Sequence, residues 1–312
     1  TNHFQSLMRI KPDLLVHDLH PDYPGTRYAQ SQKEVPIIGI QHHHAHAVSC
    51  MAEHGLKGPV IGLTLDGNGY GPDRTVWGGE VLLADYHTFE RLAHLSTVEM
   101  PGGDAAIQEP WRMAVSYLYR TYGHEYKNLN LPILKDFADK ITLIEQMIEK
   151  SINSPLTSSC GRLFDAVAAL LGLRQKVSFE GQAAMQLEMI SDPLQSKAYP
   201  YLLSGNEGRL IFDPLLMIDA IVKDCSEGRP VAEIGGRFHV SLAIMIEEVC
   251  SQVRKQTSLS LVVLSGGVFQ NCLLTELAVT RLERSGFQVL THSLVPPNDG
   301  GIALGQAAVA VG

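Results

Sequence analysis

The stretch Gln41-His42-His43-His44-Ala45-His46-Ala47 holds four of the chain's 13 histidines within five consecutive positions. The apolar run before it, Val35 to Ile40, is short and β-branched and reads as a buried strand. The residues after it suit a helix that Gly55 stops. On a helix, residues four apart share a face, with Cβ atoms roughly 5–6 Å apart. Among the four histidines only His42 and His46 have that offset. Two imidazoles converging from one face form half a site for a divalent metal. The plainer alternative is a polar helix start with solvated rings. The zinc-hydrolase pattern, in which a Glu directly after the first His acts as general base, is broken because His43 stands there. His43 and His44 are left without a role.

Carboxylates and glycines fall at other element ends. Pro59 to Asp66 reads as a strand with Asp66 at its tip, followed by a glycine-rich turn from Gly67 to Pro72. That turn suits close backbone approach by a ligand, although Asp-Gly is also an ordinary hairpin pair. Ser260 to Leu264 reads as a strand, then Ser265-Gly266-Gly267, then a helix from Asn271 to about Ser285. Free N–H groups and the helix dipole at such a junction favour anions, but a lone Gly-Gly is a weak signal. Asp299 lies on the turn Pro296–Gly301 before a closing helix, Ile302 to Val311, where the plainer reading is no more than an N-cap. Ser158 to Leu171 reads as a well-capped helix. Arg162 and Asp165 share a face of it, a spacing expected of a surface ion pair. Glu180 falls at the start of a further helix.

The elements that must position these residues alternate. Phe4–Ile10 suggests a short helix, Asp13–Asp18 a strand and Gly25–Ser31 a helix, before the Val35–Ile40 strand. This rhythm implies a parallel sheet with ligands outside the carboxyl ends of its strands, the edge that would carry His17-Asp18 and His42/His46. Val76–Leu83 and Glu90–Met100 continue a meander from Pro59. Ile107–Tyr122 and Lys140–Lys150 read as amphipathic helices forming an inserted cover. The stretches 122–158 and 191–235 look loop-rich and carry little pattern. The resulting fold class is α/β.

At 312 residues the chain can bury a substantial core, and the length suggests about two domains. A formal charge of −8 disfavours extensive contact with nucleic acid or anionic membrane. Five scattered cysteines, never spaced CxxC, form neither a disulfide framework nor a zinc ribbon and fit a reducing cytoplasm. No apolar run approaches a membrane span. The chain opens without Met, as a piece of a longer polypeptide would.

Six stretches taken together carry a resemblance: Asp18-Leu19-His20-Pro21-Asp22-Tyr23, Gln41-His42-His43-His44-Ala45-His46, Trp77-Gly78-Gly79-Glu80, Ser159-Cys160-Gly161-Arg162-Leu163-Phe164-Asp165-Ala166, Phe179-Glu180-Gly181-Gln182-Ala183 and Ser265-Gly266-Gly267-Val268-Phe269-Gln270-Asn271. The chain resembles the carboxy-terminal, Kae1-like part of HypF, the carbamoyltransferase family that matures nickel–iron hydrogenases. That resemblance implies the two-lobed acetate kinase–sugar kinase–actin (ASKHA) fold. Residues 1–57 would belong to the first lobe, which would begin partway, and 58–312 would form the second, with a helical insertion at about 105–235. It implies His42, His46, Asp299 and Asp66 as metal ligands and catalytic residues, with iron or zinc as the divalent ion. It implies Gly78, Gly79, Asp165, Gly181, Gly267 and Asn271 as contacts to ATP or carbamoyl-adenylate, with Glu80, Glu180 and Gly266 as neighbours in that set.

The implied reaction moves a carbamoyl group from carbamoyl-adenylate to the carboxy-terminal cysteine of the partner HypE, the route to the hydrogenase cyanide ligands. Backbone N–H groups at Gly78-Gly79 and Gly266-Gly267 would hold the phosphate, and Asp165 and Glu180 the ribose hydroxyls. Cys50, Cys160 and Cys272 would be buried core thiols. The family's acylphosphatase-like, zinc-finger and YrdC-like domains have no counterpart in this sequence, so the adenylate would be supplied by a YrdC-like domain outside it. Rival readings are threonylcarbamoyl transfer to tRNA, O-carbamoylation of a small molecule, and a non-catalytic nucleotide-binding scaffold.

Overall fold

The computed structural model describes residues 2–206 and 208–312. Up to residue 57 the order is α1 (Asn2–Met8), β1 (Leu15–Asp18), α2 (Pro24–Ser31), β2 (Ile37–Ile40) and α3 (His42–Glu53). β1 and β2 pair in parallel with Asp18 opposite Ile40, as strands joined through a helix must. Their carboxyl ends therefore point the same way, and α3 starts at that edge.

An antiparallel meander follows, β3 (Val60–Tyr70), β4 (Val76–Ala84) and β5 (Phe89–Leu95), then the short β6 (Val98–Glu99). The expected glycine-rich turn after Asp66 is instead strand. β3 runs on to Tyr70 and pairs Gly69 with Trp77 across an irregularity between Leu65 and Gly69. A bulge of this kind breaks the ladder locally and re-aims a side chain, and here it falls at Asp66. The reversal itself comes later, closed by the Gly71 N–H donating to the Thr75 carbonyl at 2.9 Å.

The middle of the chain supplies α4 (Asp104–Gln108), α5 (Trp111–Tyr122), α6 (Pro132–Asp136), α7 (Ala138–Glu149), β7 (Leu156–Thr157), α8 (Cys160–Leu170), α9 (Gln182–Ile190), β8 (Leu202–Asn206), β9 (Arg209–Asp213) and α10 (Leu215–Ser226). Pro110 splits the single helix expected over 107–122, because its ring cannot continue the hydrogen-bond ladder. The 105–235 segment is not purely helical: β9 joins β5 in parallel and β8 closes the sheet edge. The chain ends with α11 (Val231–Thr257), β10 (Leu261–Ser265), α12 (Cys272–Arg284), β11 (Gln288–Thr291) and α13 (Ile302–Val311).

The main sheet is mixed, in the order β11-β10-β3-β4-β5-β9-β8. Side chains alternate across it as strand geometry requires. Ile61, Leu63, Val262 and Leu264 pack with α5, α8 and α11, while Val60, Leu82 and Val263 pack with Ala47, Val48 and Met51 of α3. α13 lies on α3 at backbone contact: a Cβ on Gly305 would sit 1.8 Å from the Ala45 carbonyl oxygen. That contact fixes the turn preceding α13 against the histidine helix. Among the described residues no helix is long and apolar enough to cross a membrane.

Candidate metal centre and nucleotide cleft

Gln41 caps α3 by accepting a hydrogen bond from the His44 N–H at 2.8 Å, which starts the helix with four histidines in its first turns. None of them is solvated: His42, His43, His44 and His46 are all at most 4% exposed. Packing between the sheet and α13 buries α3 all round. The His42 and His46 rings share the face that looks along the sheet edge, with centroids 4.8 Å apart.

Two carboxylates meet them there. Asp66, at the β3 bulge, places Oδ2 3.1 Å from His42 Nε2 and 3.7 Å from His46 Nε2. Asp299, on the 3₁₀ turn Asp299–Gly301, places Oδ1 3.5 Å from His42 Nε2 and 3.4 Å from His46 Nε2. The four ligand atoms lie within 4.8 Å of one another. A tetrahedral ion with bonds of about 2.1 Å separates its ligands by about 3.4 Å, close to the four distances given. His46 Nε2 is enclosed and makes no hydrogen bond, as a nitrogen reserved for a ligand would.

The supporting contacts fix which atoms face inward. His42 Nδ1 lies 2.8 Å from Asp18 Oδ2, so Nε2 is the atom left for the centre. The Gly267 N–H donates to Asp66 Oδ1 at 2.9 Å, leaving Oδ2 free. A chain of contacts runs from His46 Nδ1 to Ser265 Oγ (3.4 Å), on to His292 Nε2 (2.8 Å), and from His292 Nδ1 to Glu53 Oε2 (2.9 Å). Burial alone would push the His42 and His46 rings down, but the facing carboxylates of Asp299 and Asp66, and for His42 the hydrogen bond to Asp18, raise both. Burial would push Asp66 up, yet the two rings hold it well below the usual carboxylate range, and they hold Asp299 low as well.

A cleft of ≈ 450 Å³ opens from this centre. Asp66, Asp299 and Tyr23 line it together with Arg162, Asp165, Glu180, Gly181 and Gly267. Gly181 takes a left-handed φ of 76° as the N-cap of α9 and brings Glu180 to the rim. Arg162 and Asp165 do not form the expected surface pair. They are 2% and 3% exposed, with Nη2 2.8 Å from Oδ2.

The family description "Carbamoyltransferase, Kae1-like Domain, second subdomain" matches residues 62–306, and "HypF Kae1-like domain" matches residues 1–53. The chain belongs to the HypF family. Carbamoyltransferase HypF2 of Cupriavidus necator is 38% identical over 99% of this chain and 41% of its own length. HypF of a Synechocystis species is 38% identical over 97% of this chain and 41% of its own length. A crystal structure of full-length HypF in a phosphate- and nucleotide-bound form superposes with a TM-score of 0.93 at 41% identity, covering 99% of this chain and 40% of that one. The chain thus spans about two fifths of the length of these three relatives. Its mixed α/β architecture is that of the Kae1-like, ASKHA-type HypF carboxy-terminal part.

Several positions that HypF resemblance assigns to nucleotide contact lie elsewhere. Gly78 and Gly79 are buried, and both N–H groups donate to Glu80 Oε1 at 3.2 and 3.3 Å. The Glu80 carboxylate is fully buried and also takes Ser158 Oγ and Arg91 Nε. This trio is structural filling behind the cleft, because its polar atoms are already matched. Asn271 caps α12 through the Leu274 N–H and donates through Nδ2 to His239 Nε2 at 2.9 Å, so its side chain is likewise committed. Gly266 sits at φ 100° with its N–H on the Pro297 carbonyl. Among the cysteines, Cys50 and Cys160 are buried as expected, but Cys272 is exposed at the start of α12. Burial pushes the Cys160 thiol up to about 12, which removes it as a ready nucleophile.

Sequence reasoning gave Asp18, Ser265, His292 and Glu53 no role. Asp18 carried the one available signal, a carboxylate at a strand end expected on the same edge as His42.

Proposed function

We propose that this chain carries the carbamoyl-transfer site of a HypF-type carbamoyltransferase of nickel–iron hydrogenase maturation, working in the cytoplasm. The observation that carries the reading is the convergence of His42, His46, Asp66 and Asp299, whose two carboxylates line a cleft that Asp165 and Glu180 also line. The donor is carbamoyl-adenylate, made by a YrdC-like domain outside this chain. The acceptor is the carboxy-terminal cysteine of HypE. Nucleic acid is not expected as a partner.

The nitrogen and oxygen donor set fits iron or zinc. A divalent ion held by the four residues would supply a Lewis acid towards a phosphate or carbamoyl oxygen. Asp18 accepts a hydrogen bond from the His42 Nδ1–H and so leaves Nε2 facing the centre, and Gly267 keeps one Asp66 oxygen aimed inward. Asp165 and Glu180 accept from ribose hydroxyls and orient the adenylate along the cleft. Tyr23, whose hydroxyl burial pushes up to about 12, stays protonated and offers a hydrogen bond beside the centre. The acceptor thiolate attacks the carbamoyl carbon; the C–S bond forms, the C–O bond to the phosphate breaks, and AMP departs with the electron pair. The thiol proton is released to solvent. The chain's contribution is positioning and charge stabilisation.

The test mixes the chain with synthetic carbamoyl-adenylate and HypE. Mass spectrometry is expected to show a carbamoyl group on the terminal sulfur, and none with His42→Ala. Carbamoyl loss without any transfer to HypE, or transfer to tRNA in its place, would sink the reading.

A further inference from the structure

We propose that Arg162, with the amino-terminal turn of α8, holds the phosphate of the nucleotide. This rests on the adenylate reading above. The phosphate has lost the donors that resemblance assigned it, since Gly78 and Gly79 give their N–H groups to Glu80 and Gly267 gives its own to Asp66. The cleft is also strongly acidic. Among the described residues lining it, Arg162 is the one cation against Asp66, Asp165, Glu180 and Asp299.

The Arg162 side chain is 3% exposed, and its guanidinium is only partly matched. Nη2 faces Asp165, whereas Nε and Nη1 are enclosed without any acceptor. A buried guanidinium with unused donors is costly to keep, and a tetrahedral oxyanion is the acceptor that its planar fork fits. Its location suits that ligand. On one side it touches Asp165; on the other, a Cβ on Gly67 would lie 3.8 Å from Nη2 and 3.3 Å from Glu180 Oε1. Gly67 adjoins Asp66, so the guanidinium and the Glu180 carboxylate both stand close to the residue that follows an ion ligand, where an adenylate phosphate reaching the centre must pass.

The helix that carries Arg162 is built to meet that point. Ser159 caps α8 by accepting from the Arg162 N–H, and its hydroxyl reaches the Asp66 and Gly67 carbonyls at 3.0 and 2.8 Å. Gly161 allows the approach, since a Cβ there would be 2.8 Å from Gly67 Cα. The first turn of α8 thereby packs on Asp66 and Gly67 beside the guanidinium, and its dipole adds to the positive potential there.

Calorimetric titration of the metal-loaded chain with AMP and with adenosine tests this, together with the ³¹P shift of bound AMP. The wild type is expected to prefer AMP by about tenfold or more, the value of one good charge-assisted pair. Arg162→Gln should bring AMP to the adenosine level while leaving adenosine binding within about twofold of wild type, and Arg162→Lys should fall between. If Arg162→Gln does not fold, Arg162→Lys, which keeps a charge beside Asp165, carries the comparison through its reduced AMP preference. An unchanged preference for AMP overturns the assignment while the adenylate reading stands. Equal weakening of both ligands also overturns it, making Arg162 a structural partner of Asp165. A wild type that binds neither ligand removes the adenylate reading and this inference with it.

Discussion

His42 Nδ1 lies 2.8 Å from Asp18 Oδ2, although the two residues come from different strand ends. β1 and β2 run in parallel with Asp18 opposite Ile40, so the residue closing one strand faces the first turn of the helix that follows the other. The carboxylate fixes the ring tautomer and presents Nε2 to Asp66 and Asp299. Partners of this kind typically cost 10–100-fold in metal affinity when removed. Asp18→Asn is expected to weaken zinc or iron binding by roughly that factor, read by competition with a chromophoric chelator, while leaving adenosine binding unchanged. Wild-type metal affinity in the variant would disprove the orienting role.

The ion cluster was legible because helix spacing is rigid: an offset of four residues puts His42 and His46 on one face whatever surrounds them. Asp66 and Asp299 reach the centre only through the β3 bulge and the α3–α13 packing, which no local pattern encodes, and their assignment came from resemblance. The α/β class and the closing helix Ile302–Val311 were readable from periodicity. α11 was missed because buried Gly235 and Gly236 interrupt its apolar pattern. They are there for contact, since a Cβ on either would come within 2.4 Å of Ser191 Oγ or the Asp192 carbonyl. Gly78-Gly79-Glu80 misled for a related reason: glycines that admit a ligand and glycines that admit a neighbouring backbone look alike in sequence.

Glu80 is fully buried against Arg91, whose guanidinium also lies 4.0 Å from the Trp77 ring centroid. Removing one partner of a buried pair leaves an uncompensated charge, at a cost of about 3–5 kcal/mol. Glu80→Ala should therefore lower the unfolding free energy by about that amount in urea, with AMP affinity of the folded fraction unchanged. A selective loss of AMP binding with unaltered stability would return Glu80 to the cleft.

His239 gives a pH signature remote from the ion cluster. It is fully buried, with Nδ1 donating to the Gly235 carbonyl at 2.7 Å and Nε2 accepting from Asn271. Burial pushes the ring down to about 4 from its ordinary 6.5. Above pH 6.5 the ring is neutral in folded and unfolded chains alike and contributes no pH dependence. As pH falls from 6.5 towards 4, the unfolded chain takes up a proton that the folded chain refuses, so stability declines. The total loss is about 3 kcal/mol and levels off below the folded value. Urea unfolding across that window should show this slope in the wild type and a flatter one in His239→Gln. Equal slopes would mean that the ring is protonated inside the fold.

The direct-transfer chemistry makes its own demand on Cys160, which stands at the first position of α8 beside Gly161 and the cleft. A covalent relay would need a thiolate there. Burial pushes this thiol up to about 12, so at neutral pH the reactive form is scarce by several orders of magnitude. The side chain also packs among Leu63, Leu65 and Val81 of the core rather than facing the centre. Cys160→Ser removes the sulfur and nearly preserves the volume, and is expected to keep the rate of carbamoyl transfer to HypE within about threefold of wild type, with a modest loss of thermal stability from the buried hydroxyl. Abolished transfer in a folded variant that still binds carbamoyl-adenylate would instead place a thiocarbamate on the enzyme itself, and the acceptor thiolate would then attack that sulfur ester rather than the adenylate.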